Sequence, residues 1–139
     1  MHLRLTKQFS FQMAHALDAY DGKCRNLHGH NFVLYVTVEG APINDPHSPK
    51  NGMVVDFGDL RRIVNQYVVE PFDHALVLAE GSTYNVGLPT KTILLPFQPT
   101  SENLLLEFAR RLEGKFPNNT RLYSLRLCET DTSTAELIL

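Results

Sequence analysis

From Gln8 to His15 the chain alternates: Phe9, Phe11, Met13 and His15 fall on one parity, Gln8, Ser10 and Gln12 on the other. A period of two is that of a strand with one buried face. Residues 30–39 repeat it, with His30, Phe32, Leu34, Val36 and Val38 on one side. The run of turn formers over 44–52 predicts a loop. Then the period changes. Leu60, Ile63, Val64, Tyr67 and Val68 recur at helical spacing, Asp56 is placed to cap a helix starting near Phe57 with Asp59 in its first turn, and Pro71 ends the run. Residues 79–90, rich in Gly, Ser, Asn and Pro, predict an exposed excursion, with a short strand in Lys91–Phe97 on its return. A second helix follows Pro99, capped by Thr100 or Ser101, with Glu102 in its first turn. Its buried stripe is Leu104, Leu105, Phe108 and Leu112, extending toward Phe116. Strands over 121–128 and 134–139 complete the chain.

The order is β-β-α-α-β-β with the helices grouped in the middle. That predicts an α+β layer, an antiparallel sheet with two helices on one face, as a single domain over residues 1–139. A chain of 139 residues with 43% hydrophobic and 20% charged content has an ordinary globular composition. A formal net charge of -2 gives no global reason to expect a nucleic-acid or anionic membrane partner. No apolar run approaches a membrane span, and the alternating N-terminus lacks a secretory h-region. Cys24 and Cys128 are therefore expected as reduced thiols in a cytoplasmic setting.

Candidate chemistry concentrates at one end of the predicted hairpin. If the first two strands pair antiparallel, His15 lies at the loop end of one, and His28 and His30 at the loop end of the other. All three continue the apolar parity of their strands, so their rings converge on one face. Three neutral imidazoles without a fourth protein ligand describe a catalytic metal site, zinc by preference. Cys24, in the intervening loop, has two readings. It completes a Cys-His₃ structural site, or it stays off the metal as a base or nucleophile whose thiolate the flanking Lys23 and Arg25 favour. Asp73-His74 follows the first helix; the pair suits proton transfer, although a helix-end histidine meeting the dipole is the simpler account. Glu129 ends an apolar strand, either facing solvent or accepting from a guanidine-like ring edge. Cys128 is expected as a packed core residue, and His2 and His47 as surface residues.

Six segments in this order resemble the 6-pyruvoyltetrahydropterin synthase superfamily: Phe11–His15, Cys24–His30, Met53–Phe57, Asp73-His74, Pro99–Asn103 and Cys128–Thr130. The resemblance implies a tunnelling fold, in which three chains close a barrel and two barrels stack as a homohexamer with active sites at subunit interfaces. It implies zinc on His15, His28 and His30. Cys24 becomes the catalytic base, with Asp73 and His74 completing a proton-exchanging triad, in which the last two serve a neighbouring chain. Glu129 anchors the pterin ring with Thr130 beside it, and Glu102 joins the substrate-binding set. The spacing of Cys24 to His28-Gly29-His30 is similar to the bacterial 6-carboxytetrahydropterin synthases of the queuosine (7-deazaguanine) route. That implies a zinc-dependent carbon–oxygen lyase acting on 7,8-dihydroneopterin triphosphate, with Lys23, Arg25 and Lys91 as candidate triphosphate partners. The pyruvoyl-forming enzymes are the alternative within the fold, and a zinc-stabilised assembly module the alternative outside catalysis. The stretch from Leu78 to Phe97 departs from the short bacterial pattern by its length.

Overall fold

In the computed structural model, which describes residues 2–139, β1 (Leu3–His15) and β2 (His28–Gly40) form the hairpin that the alternation predicts. Its antiparallel register runs unbroken from Leu3 opposite Gly40 to His15 opposite His28. The chain continues through α1 (Phe57–Val64), a π-helical segment (Asn65–Val69) and a last turn, α2 (Glu70–Phe72). Then come β3 (Ala75–Ala79), β4 (Thr92–Leu95), α3 (Ser101–Leu112), β5 (Thr120–Thr130) and β6 (Ser133–Ile138).

The sheet corrects the expected topology. It has six strands in the order β4-β3-β1-β2-β5-β6 and is mixed rather than antiparallel. β1, β2, β5 and β6 pair antiparallel, whereas β3 runs parallel to β1 and β4 parallel to β3. β3 carries no alternation to announce it, because Ala75, Leu76, Val77 and Leu78 are all buried. One face of β3 meets the main core. On the other, Leu76 and Leu78 pack with Ala16 under Tyr84 of the excursion. A short strand covered on both sides reads as a plain apolar run. The excursion itself is largely exposed, as expected.

Both helices pack on one face of the sheet. Phe9, Phe11 and Met13 of β1, Phe32 to Val38 at alternate positions of β2, and Leu125 and Leu127 of β5 meet Leu60, Val64, Leu104 and Phe108 in a single core. Phe11 stacks on Phe32 at 5.6 Å between ring centroids and meets Phe108 edge-on at 6.0 Å. Each such ring contributes about 1.5–3 kcal/mol by burial. Asp56 caps α1 by accepting from the Gly58 N–H at 2.6 Å, and Thr100 caps α3 by accepting from the Asn103 N–H at 3.1 Å. Pro71 lies inside the last helical turn rather than just beyond it. Pro lacks an N–H and crowds the preceding turn, and the wider Asn65–Val69 segment, closed by the Glu70 N–H on the Asn65 carbonyl, precedes it. Cys128 departs from its expected core place: it is half-buried beside Val33, of opposite parity to the buried Leu125 and Leu127, and accepts from the Thr134 hydroxyl at 3.4 Å.

Candidate metal centre and its surroundings

The hairpin register delivers His15 and His28 to directly opposed positions, with His30 opposite Met13. The three rings are mutually edge-on, with centroids 4.5 to 5.4 Å apart. Phe32 lies beneath, its ring edge-on to His15 at 5.8 Å and to His30 at 5.5 Å. Glu129 completes the group: its carboxylate lies 3.4 Å from Nε2 of both His15 and His30. One ligand atom from each of His15, His28, His30 and Glu129 falls within 4.8 Å of the others. Glu129 shares the parity of Leu125 and Leu127, and the register slips between Cys128 and Thr130 as in a bulge. Such bulges re-aim side chains beside functional sites.

The donor chemistry fits a cation. Nδ1 of His15 lies 2.8 Å from the Pro99 carbonyl, and Nδ1 of His28 2.6 Å from the Asn26 carbonyl. A carbonyl only accepts, so each Nδ1 carries the proton and each Nε2 a lone pair. Those two Nε2 atoms face one another at 2.9 Å. Nε2 of His30 is buried without a hydrogen-bond partner. Converging lone pairs beside a carboxylate are stabilised by a shared positive charge, and the two carbonyls are the outer partners that fix ring orientation in histidine metal sites.

Burial, the dominant influence, pushes the imidazoles of His15 and His30 below their ordinary value, with Glu129 opposing it at both. The neutral, ligating form is thereby favoured. The linkage has a definite sign. A histidine whose folded value is lowered binds fewer protons folded than unfolded, so it stabilises above the unfolded value of 6.5 and loses that contribution as pH falls through it. The metal-free chain should therefore lose thermal stability between about pH 7 and 5. The His15→Gln variant should lose less over the same range, and equal slopes would contradict the assignment.

Asp73 and His74 dock on the backbone of β1. Asp73 Oδ1 accepts from the Gln12 N–H at 3.0 Å, and the His74 N–H donates to the Gln12 carbonyl at 2.5 Å. His74 Nδ1 lies 2.9 Å from Asp73 Oδ1. The Gln12 N–H, then His74 and Lys91, hold the Asp73 carboxyl below its usual range against a smaller opposing effect of burial. His74 adopts a left-handed φ of 58°, uncommon for a side-chain-bearing residue and frequent at functional positions. Its side chain is 72% exposed. It borders a groove of about 520 Å³, lined also by Gln12, Ala14, Leu27, Leu76 and Leu88.

The structure thus brings the three histidines together and adds Glu129, whose parity was the available signal. Cys24 lies outside that donor group, half-buried in a short 3-10 turn (Lys23–Arg25), which removes the Cys-His₃ reading. Asp73 and His74 form a second, separate cluster. Glu102 is exposed in the first turn of α3, and Thr130 is exposed beside Thr132. Lys23 and Arg25 are exposed, whereas Lys91 is engaged with the carbonyls of Glu70 and Asp73. His2 and His47 are surface residues, as expected.

Residues 4–138 match the family model described as 6-pyruvoyl tetrahydropterin synthase. The chain is 38% identical to a 6-carboxy-5,6,7,8-tetrahydropterin synthase of Haemophilus influenzae, across 96% of both chains. It is 35% identical to the enzyme of that name from Synechocystis, covering 93% of this chain and 88% of the relative. Among solved structures, Caenorhabditis elegans 6-pyruvoyl tetrahydropterin synthase superposes with a TM-score of 0.72 at 26% identity, over 99% of this chain and 96% of that one. An uncharacterised protein of Wolinella succinogenes shares the fold, with a TM-score of 0.78 at 19% identity over 99% and 98% of the two chains.

Proposed function

Because the chain belongs to the 6-pyruvoyl tetrahydropterin synthase family, we propose that it is a zinc-dependent 6-carboxy-5,6,7,8-tetrahydropterin synthase. It converts 7,8-dihydroneopterin triphosphate with release of triphosphate and acetaldehyde, on the route to 7-deazaguanines such as queuosine. The observation that carries the reading is the convergence of the ring nitrogens of His15, His28 and His30, in a chain 38% identical to an enzyme of that name.

His15, His28 and His30 hold the zinc, which supplies Lewis-acid polarisation of the substrate's side-chain hydroxyls. The Cys24 thiolate takes a proton from the side-chain carbon next to the ring, whose electron pair passes into the adjoining ring C=N bond as its nitrogen is protonated. Loss of a second proton, from the middle side-chain carbon, then leaves the pair that expels triphosphate from the terminal carbon. The Asp73 carboxylate keeps the proton of His74 on Nδ1, so Nε2 is the atom that exchanges protons with the substrate. Glu129 accepts from the N–H and amino edge of the pterin, with Thr130 beside it and Glu102 contributing from α3. His74, largely exposed, suits service to a neighbouring chain. The edge strands β4 and β6 leave backbone groups available for pairing with further chains, in keeping with a homohexamer of stacked trimers. No helix is long and apolar enough to cross a membrane.

The pyruvoyl-forming reaction is the second reading, favoured by the solved nematode relative. Incubation with dihydroneopterin triphosphate should yield acetaldehyde and a 6-carboxy pterin by coupled assay and mass spectrometry. A pyruvoyl pterin without acetaldehyde would reassign the chain to the other branch.

A further inference from the structure

Residues 80–91, inside the Leu78–Phe97 stretch, touch both parts of the proposed machinery. At one end, Asp18 reaches across from the loop that carries Cys24. Its carboxylate accepts from the Ser82 hydroxyl at 2.6 Å, the Thr83 hydroxyl at 2.6 Å and the Thr83 N–H at 3.0 Å. These bonds, from Ser82 first, hold the Asp18 carboxyl below its usual range. The neighbouring Leu17 N–H donates to the Cys24 carbonyl at 2.9 Å, so the clamp acts one residue from a direct tie to Cys24. In the middle, Tyr84 packs on Ala16, Leu76 and Leu78, and Leu88 and Thr90 line the groove that His74 borders. At the other end, the Lys91 ammonium donates to the carbonyls of Glu70 at 2.5 Å and Asp73 at 2.8 Å, and the Leu76 N–H donates to the Lys91 carbonyl at 2.8 Å.

We infer that residues 80–91 are a brace joining the Cys24 loop to the Asp73-His74 turn of the same chain, so that the base of one site and the proton-exchanging pair this chain lends to its neighbour are each held in place, with Asp18 and Lys91 as its positioning residues. The physical need is visible at both ends. The terminal carbonyls of the helix have no intrahelical partners, and the left-handed His74 persists only where its surroundings over-determine it. Lys91 meets both conditions, with two of its three donors committed to backbone. It is therefore a structural cation and not a triphosphate ligand. The Cys24 loop has only a single 3-10 turn of its own and is anchored from outside by Ser82 and Thr83 through its Asp18. The catalytic part of this inference rests on the proposed function; the mechanical part does not.

Three variants test it: Asp18→Asn, Lys91→Met and Lys91→Arg. In Asp18→Asn and Lys91→Met, metal content should stay at the wild-type level. There, kcat should fall roughly 10- to 100-fold with KM moving by less than about threefold, the pattern of misplaced catalytic groups. The pH–rate limb that follows the Asp73-His74 pair should shift in both, and Lys91→Arg should recover most of the rate. A raised KM and weakened inhibition by inorganic tripolyphosphate in Lys91→Met, with kcat held, would make Lys91 a phosphate ligand and overturn the brace. Hydrogen exchange provides the arm that needs no turnover. Asp18→Asn should speed exchange in both 17–26 and 73–76, and faster exchange confined to 82–83 would overturn the inference. If the wild-type protein does not turn over dihydroneopterin triphosphate, the proposed function fails and the exchange result alone decides the brace.

Discussion

Replacing His15 by alanine is expected to strip the protein of its metal and lower turnover by about three orders of magnitude or more, corresponding to several kcal/mol of lost Lewis-acid stabilisation. His15 is the fully buried member of the cluster, and its Nδ1 is anchored by the carbonyl that leads into α3. Truncation removes a ligand and also leaves the buried Pro99 carbonyl unpaired, an added stability cost of about 1–3 kcal/mol. The His30→Ala variant separates the two effects. Its ring has a buried Nε2 without a hydrogen-bond partner, and it should lose metal with less damage to folding. Elemental analysis of the purified variants, together with turnover and melting temperature, reads all three quantities. Wild-type metal content and turnover in His15→Ala would sink the assignment of the site.

The second large effect is expected for Cys24→Ala: a turnover loss of about 10²- to 10⁴-fold, the usual worth of a positioned proton-transfer group. Metal content and melting temperature should stay near wild type. The separation follows from the geometry, since the donor group holds His15, His28, His30 and Glu129, with Cys24 outside it. Cys24→Ser should also be slow, because a hydroxyl is a far weaker acid than a thiol and supplies little anion near neutral pH. Metal and folding lost together in Cys24→Ala would return Cys24 to a structural role.

Together the two variants divide the site by function. One removes the ion and everything that depends on it; the other leaves the ion and removes a proton acceptor. A third division runs through space. Asp73 and His74 are fixed to the Gln12 backbone, whereas the metal donors rise from the loop end of the hairpin. The brace over residues 80–91 joins the Asp73-His74 turn to the Cys24 loop of the same chain.

Much of this was legible in the chain. The alternation of β1 and β2 placed His15, His28 and His30 on the core face at one hairpin end, because strand parity and antiparallel pairing are local consequences of sequence. The caps Asp56 and Thr100 were legible for the same reason, since each bonds a backbone N–H within three residues. Glu129 was half-legible. Its parity matched Leu125 and Leu127, yet a lone strand-end carboxylate reads as solvent-facing until β5 is known to lie against β2.

β3 was not legible as a strand. Ala75–Leu78 is buried on both faces, and one of its covers is the excursion around Tyr84. Nor does local pattern state that β3 runs parallel to β1, because the pairing joins residues about sixty positions apart. The clamp from Asp18 to Ser82 and Thr83, and the hold of Lys91 on the Asp73 turn, are likewise contacts between polar residues of no periodicity. By itself, then, the sequence determined the hairpin, the helices, the three-histidine face and the family, all of which rest on short-range periodicity and on ordered motifs. Only the tertiary structure decided the mixed sheet, the place of Glu129 against the histidines, the separation of Cys24 from the metal donors and the engagement of Lys91. Those depend on which distant backbones pair and which polar groups then find partners, and such pairings carry no signature in local residue pattern.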